Sequence, residues 1–350
     1  MSSSVGDKID TVRPVGGKNA GITVSSASVG DTVLVRRSQY GYPVSSAAVG
    51  DKVVVKRLNG KLVGISGGDP DVRSNMLAEG MAISANGTIY QAWNGYALTP
   101  QTGFVKRYSA NGQFQGKIGS FGTANGQFNT PHTLAIDSLG NVYVVDMRNY
   151  RIQKFTSSGA FITAWGDSSM FSGDVAGIAI DDDDFVYVVD RAAHRALKFT
   201  SAGVHVLSWN ITESSFGCAI SPSTGNLWIV VTGYNRFEEW TNTGTYVSTW
   251  GTEGSGDGQL IYPYDLAFDS HGDVYVTDRN NFRIQKFSEF GTYLGVKWGT
   301  EGSGDGQFEY AAHVAVNKLT NNVYVGDNDN YRVQQFSPTG AFIRKWYSGR

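Results

Sequence analysis

Cysteine and proline are scarce in this 350-residue chain, and formal charge is thin. A single cysteine, Cys218, excludes an intrachain disulfide framework and any cysteine-based zinc cluster. Charged residues make up 17% of the chain and the net charge is −2. No run approaches the roughly 18 apolar residues of a membrane span. The start, Met1 to Asp7, has no basic stretch followed by an apolar run, so a standard secretory signal is not expected. Abundance lies elsewhere: 44 Gly, and 8 Trp, 18 Tyr and 18 Phe, which together equal the glycines. Glycine permits tight turns and aromatic residues suit strands, so many short strands are expected rather than long helices. An apolar content of 41% is too high for a disordered chain.

Two internal repeats organise the sequence. The first is N-terminal: Val5-Gly6-Asp7, Val29-Gly30-Asp31 and Val49-Gly50-Asp51 open three similar units. Alternation in Val33-Leu34-Val35-Arg36 and Val53-Val54-Val55-Lys56 reads as half-buried strands, with Asn59-Gly60 as a hairpin tip before Leu62 to Ile65. Gly67-Gly68-Asp69-Pro70 breaks the pattern. Residues 1–70 are therefore expected to form a small β-module, and residues 71–350 a second domain.

The second repeat fills the remainder. Each copy reads as a strand, a Gly/Asp turn, a strand ending in Asp, an Arg-containing loop, a strand, a turn, and a strand ending Trp-Gly. Leu134 to Asp137, Asn141 to Asp146, Arg151 to Phe155 and Phe161 to Gly166 make one copy. Trp165, Trp209, Trp250, Trp298 and Trp346 close five copies at spacings of 44, 41, 48 and 48 residues, and a weaker copy precedes them. Four short strands cannot bury both faces alone, so such units must stack, and radial stacking gives a β-propeller. The fold expected is all-β, a six-bladed propeller with four-stranded blades. Each copy begins on the innermost strand, so blades one and six should close by packing, with pairing of Leu62 to Ile65 to the last blade as the alternative.

Asn125-Gly126-Gln127-Phe128, Pro131 to Asp137, Asn149 to Phe155, Gly258-Gln259-Leu260 and Asn281 to Phe287 closely resemble the NHL-repeat family. The resemblance covers about 275 residues. It implies the propeller but leaves function open, because function resides in sites grafted on a fold. Blade four departs most, with Val231 in place of the strand-ending Asp and Glu238-Glu239-Trp240 in place of Gln-Lys-Phe.

Repeat arginines Arg151, Arg195, Arg236, Arg283 and Arg332 are expected to bond the aspartate of their own blade, as Asp146, Asp190, Asp278 and Asp327 allow. Arg148, Arg191 and Arg279 follow the repeat less strictly and are candidates for touching a ligand. A variable position beside them holds Tyr150, His194, Asn235, Phe282 and Tyr331. With Tyr234, Trp93 and Tyr96 it is expected to make a loop face rich in aromatics, where function on rigid scaffolds resides. Packing between blades is the competing role for each ring.

His132 and His313 precede innermost strands and so approach the central channel, as does Tyr264. This is similar to the Pro-His position that peptidylamidoglycolate lyases use to bind zinc, and that resemblance implies three histidines. Only His132 falls in register; His313 is one position late, and Ala176, Phe216 and Tyr264 hold the register elsewhere. Zinc ligation is incomplete, so no metal and no cofactor is expected. The Asp181 to Asp184 run lacks alternating ligands and a glycine bend, and reads as a solvated turn.

Residues 1–75 carry ten basic against six acidic side chains, and the remainder 19 against 25. An acidic propeller does not favour phosphate neutralisation, so nucleic acid is not an expected partner. The N-terminal units resemble β-modules of phage and archaeal-virus tail or baseplate proteins. That likeness implies a virion or other particle-associated component, with the module docking to particle proteins and the propeller binding a surface glycan or protein. Outside a virus, the cytoplasm is the expected location. A metal-dependent lyase or hydrolase in the channel and a purely structural part of a larger assembly are the alternatives.

Overall fold

The computed structural model describes residues 54–58, 61–65, 77–94, 102–212 and 215–347. The chain divides between Pro70 and Asp71 into two units. In the first, Val54–Leu58 pairs antiparallel with Lys61–Ile65, and Leu58 faces Lys61. Among the described residues these strands form a two-stranded sheet. The rest of the expected N-terminal module lies outside the described residues.

The second unit is a six-bladed propeller. Each blade is a four-stranded antiparallel sheet made from consecutive strands. Blade one runs from Leu77–Ile83 to Phe114–Ile118 and blade six from Ala311–Val316 to Phe342–Tyr347. Its innermost strands form a closed ring in which each neighbours the next, and Ala311–Val316 returns to Leu77–Ile83. Among the described residues no strand is borrowed across that seam. Instead Trp346 packs on Tyr108 with centroids 6.2 Å apart, and Arg344 Nη1 donates to Asn111 Oδ1 at 2.9 Å. Among the described residues no helix is long and apolar enough to cross a membrane.

The second strand of each blade is buried on both faces, as in Val142–Asp146 and Val323–Asp327. This explains its continuous apolar run where a one-sided strand would alternate. Core layers therefore lie between blades: Tyr143, Val145 and Ile152 of blade two pack with Val186, Val188 and Leu197 of blade three. Cys218 belongs to such a layer and burial pushes its thiol pKa well up. It is expected to resist a thiol reagent in the folded protein and to react fully once unfolded. Rapid labelling of folded chain would contradict this packing.

Spacing differences between the tryptophans have a local cause. Gly254 to Gly258 and Gly302 to Gly306 lengthen the last two inter-blade loops, and the first carries a two-residue parallel ladder, Thr252–Glu253 with Gln259–Leu260. The loops leading to blades three and four lack this insertion. Three of the loops begin with the glycine of Trp-Gly, at φ 101° for Gly166 and Gly251 and 112° for Gly299, which L side chains rarely adopt. A Cβ at Gly299 would also lie 2.8 Å from the Phe308 ring.

An aspartate at the end of the second strand ties this loop down. In blade six Asp327 receives Arg332 Nε at 2.8 Å and Asn330 Nδ2 at 2.9 Å. Arg332 also donates to the carbonyls of Ser303, Gly304 and Gln307. The Arg–Asp pair recurs at Arg151–Asp146, Arg195–Asp190 and Arg283–Asp278. In blade four, where Val231 replaces Asp, Arg236 turns to Glu238 at 2.7 Å. These arginines hold loops, as their periodicity predicted.

Candidate functional site at the channel mouth

Every innermost strand carries the same irregularity. In blade two Pro131 pairs with Asp146 and Leu134 with Val144, so His132 and Thr133 together oppose Val145. The other five blades show a register shift at the corresponding place. A bulge leaves one residue extra and re-aims its neighbours. The two bulged positions hold Glu79-Gly80, His132-Thr133, Ala176-Gly177, Phe216-Gly217, Tyr264-Asp265 and Ala312-His313. They ring the channel at the end where the Arg-containing loops emerge. Below them, a cavity of about 220 Å³ runs past Ile83, Ile136, Ile180 and Ile220 to Asp182 and Lys318.

Four of these side chains form a polar group in which His313 is buried and Glu79, His132 and Asp265 are partly buried. Glu79 Oε2 lies 3.8 Å from His132 Nε2 and 3.7 Å from His313 Nε2. Asn94 Nδ2 donates to Glu79 Oε1 at 2.9 Å. His313 Nδ1 lies 3.3 Å from Asp265 Oδ2, which also accepts the Val314 amide at 3.1 Å. Gly217 makes room for Asp265, since a Cβ there would sit 2.2 Å from Asp265 Oδ1.

The two histidines titrate in opposite directions. Burial pulls His132 below the usual imidazole range, against the attraction of Glu79. Burial acts the same way on His313, but the Asp265 contact and the charges of Asp265 and Glu79 outweigh it and raise its pKa to about 9. Burial opposes ionisation of Glu79 too, yet His313, His132 and Asn94 hold its carboxyl below the ordinary value. At neutral pH Glu79 is therefore a carboxylate, His313 an imidazolium and His132 a neutral imidazole. His132 Nδ1 and His313 Nε2 are buried without a hydrogen-bond partner among the described residues.

Beside this cluster an aromatic arc crosses four blades. Arg191 of blade three lies 4.2 Å from the Phe216 ring, Phe216 stacks on Tyr264 at 4.6 Å, and Tyr264 meets Tyr310 edge-on at 6.0 Å. Arg279 covers Tyr310 at 3.7 Å, and Tyr264 is 5.4 Å from the His313 ring. Burial, with Tyr310 and Glu79 nearby, pushes the Tyr264 hydroxyl well up, so it remains protonated.

Candidates named from the sequence divide into those this mouth gathers and those it does not. His132, Tyr264, His313, Arg191 and Arg279 belong to it. Trp93 does not sit on a loop: it is fully buried in the strand Ile89–Asn94, with Lys106 Nζ 4.0 Å above its ring. Tyr96 lies outside the described residues. Tyr150, His194, Phe282 and Tyr331 occupy a left-handed turn position, with φ between 51° and 54°, once per blade. That periodic placement spaces them around the ring, and Tyr150, His194 and Phe282 make no ring contact with one another. Arg148 is exposed on the same turn, and Tyr234 is exposed beneath Arg236. The expectation is corrected for Trp93, which is not on that loop face, and the rings that converge are others: Phe216 and Tyr264 on innermost strands and Tyr310 just before one. Glu79, Asp265 and Tyr310 were missed. Aligning Ile83 with Ile136 puts Glu79 in the column of His132, and the same alignment puts Asp265 in the column of His313.

The zinc site implied by the lyase resemblance does not fit these residues. Among the described residues no group of three or more His, Cys, Asp or Glu side chains is arranged to hold a metal ion. Small or aromatic side chains, Ala176, Phe216, Tyr264 and Ala312, hold the register in blades three to six.

Comparison with known proteins agrees with the fold. The NHL repeat model matches residues 128–155 and 260–287, within blades two and five. Protein lin-41 of Caenorhabditis elegans is 44% identical over 48 residues, which is 14% of this chain and 4% of lin-41. The chain thus spans only a small part of that relative's length. A streptogramin B lyase structure superposes with a TM-score of 0.56 at 13% identity, covering 87% of this chain and 89% of the other. A catalytically inactive virginiamycin B lyase from Staphylococcus aureus, solved with quinupristin, gives 0.56 at 10% identity, covering 85% and 89%. A protein of unknown function from Bacteroides thetaiotaomicron gives 0.58 at 13% identity, covering 84% and 83%. At these identities the shared property is the fold.

Proposed function

We propose that this chain, a six-bladed propeller carrying NHL repeats, is a non-enzymatic recognition protein that binds a peptide segment of another protein across the channel mouth. The arc from Arg191 through Phe216, Tyr264 and Tyr310 to Arg279 carries the reading. These residues stand outside the repeat, converge from four blades and combine ring faces with polar edges, as interface hot spots do. In the same reading residues 1–70 anchor the propeller on a larger particle, on the strength of their Val-Gly-Asp repeats.

Panning a random peptide library on the full chain, followed by titration of the enriched peptides, tests it. Affinity should fall by about 30-fold or more in Phe216→Ala or Tyr310→Ala, the loss of one hot-spot ring. Affinity unchanged in both variants would remove the arc from binding. Ring-dependent capture on a glycan array, with no enriched peptide, would put a sugar in place of the peptide.

The histidine pair favours a second reading. A neutral His132 and a protonated His313 on either side of Glu79 are a base and an acid held apart by environment, the pattern of proton-transfer enzymes. Incubation with quinupristin, the compound in one of the fold neighbours, gives a direct check. An unchanged chromatographic profile against a buffer control would remove that substrate.

A further inference from the structure

We propose that Arg279 anchors a ligand carboxylate at the channel mouth, which rests on the recognition reading above and makes the bound segment a peptide acid. Other arginines around this face are already held. The repeat arginines pair with acids of their own blades, and Arg191 pairs with Asp174 at 2.6 Å. Arg279 differs. Its guanidinium lies 3.7 Å from the Tyr310 centroid, 5.0 Å from Tyr262 and 5.8 Å from Tyr264. No carboxylate or carbonyl among the described residues accepts its N–H groups.

Stacking on rings uses the face of a guanidinium and leaves its edge donors available. That edge is the part that grips a carboxylate through two parallel hydrogen bonds. Three tyrosines also fix the plane, so little side-chain entropy is lost when an anion arrives. The electrostatic setting is mixed. Glu79 and Asp329 act on Tyr310 and oppose a second anion, while His313, one ring away across Tyr264, favours it. An incoming carboxylate therefore meets its positive partner at Arg279, because His313 is already faced by Asp265 and Glu79. Phe216 and Tyr264 would then receive the adjoining side chain, giving an acid with an apolar neighbour.

Two peptide libraries, identical except for a free C-terminal carboxylate or a carboxamide, are panned on the full chain. Selected binders are titrated against wild type, Arg279→Gln and Arg279→Lys. Neutralising the peptide acid should weaken binding about tenfold or more, Arg279→Gln should do the same, and the two losses should not add. Arg279→Lys should recover only part, because an ammonium lacks the fork. Dependence on the free terminus identifies a terminal carboxylate; retention in the amidated library with an Asp or Glu identifies a side chain. Either supports the assignment. Affinity within twofold of wild type in Arg279→Gln, or losses that add, overturns it. If those binders still fail on Phe216→Ala, the recognition reading stands without its anchor, whereas libraries that yield no binder overturn both. An unchanged unfolding midpoint for Arg279→Gln separates either result from misfolding.

Discussion

Replacing Asp327 by alanine should lower the unfolding free energy by about 3–5 kcal/mol, the cost of leaving a buried charge without its partner. Arg332 is 1% exposed and Asp327 is fully buried, so the guanidinium left behind cannot reach water. The loss extends beyond the pair. Asp327 Oδ1 also accepts the Glu309 amide at 3.0 Å, and Arg332 binds three loop carbonyls, so the loop before blade six loses one direct tie and the anchor of the guanidinium that holds it. Burial raises the equivalent carboxyls Asp146 and Asp278 above the ordinary range despite their hydrogen bonds and arginine partners. The pair is thus a device for fixing loop geometry at a desolvation cost, and its value appears when one partner is removed. Urea unfolding of Asp327→Ala and Asp327→Asn measures it. A loss under about 1 kcal/mol in the alanine variant, the size of an exposed ion pair, would contradict the proposed role.

Stability should pass through a maximum near pH 6.5, and His313 should account for the alkaline side. Its folded pKa of about 9 lies above the ordinary 6.5, so its proton favours the folded chain. That contribution is complete below pH 6.5 and is lost as pH rises towards 9, amounting to about 3 kcal/mol. His132 and Glu79 act in the other direction. Their folded values are depressed, so their contributions are present above 6.5 and 4.5 and disappear as pH falls. Denaturant unfolding across pH 5 to 9 should therefore show the alkaline decline in the wild type and lose it in His313→Gln. An unchanged slope in that variant would show that His313 does not hold its proton against Asp265 and Glu79.

Periodic features were legible in the sequence because a repeat makes the same physical demand six times. Arg332 and Asp327 were paired correctly from spacing alone, and the 48-residue intervals correspond to the Gly-Ser-Gly-Asp-Gly loops. Arg236 is the exception: with Val231 where the aspartate should stand, it pairs with Glu238 instead of the expected aspartate. Less was legible at the mouth. A bulge shifts the count by one, so strict register treated His313 as displaced when both bulged positions approach the channel. Trp93 looked like a loop residue because blade one is the weakest copy of the repeat; it lies within Ile89–Asn94, paired with Phe104 on one side and Ala78 on the other. The rings at the Arg-containing turns were conspicuous by their type, but a single left-handed backbone position, φ 54° at both Tyr150 and Phe282, explains their placement. Rings from different blades become neighbours only after closure, as Phe216, Tyr264 and Tyr310 do, and no local window contains all three.

The central claim is that ligand binding occurs where the bulged innermost strands open. Hydrogen–deuterium exchange of the full chain with and without a selected peptide tests this directly. The account predicts protection confined to residues 191, 216, 262–265, 279 and 310–313 and their neighbours at the mouth. Protection instead along the exposed outermost strands, around Phe161, Val204 and Tyr246, with the mouth unchanged, would contradict it.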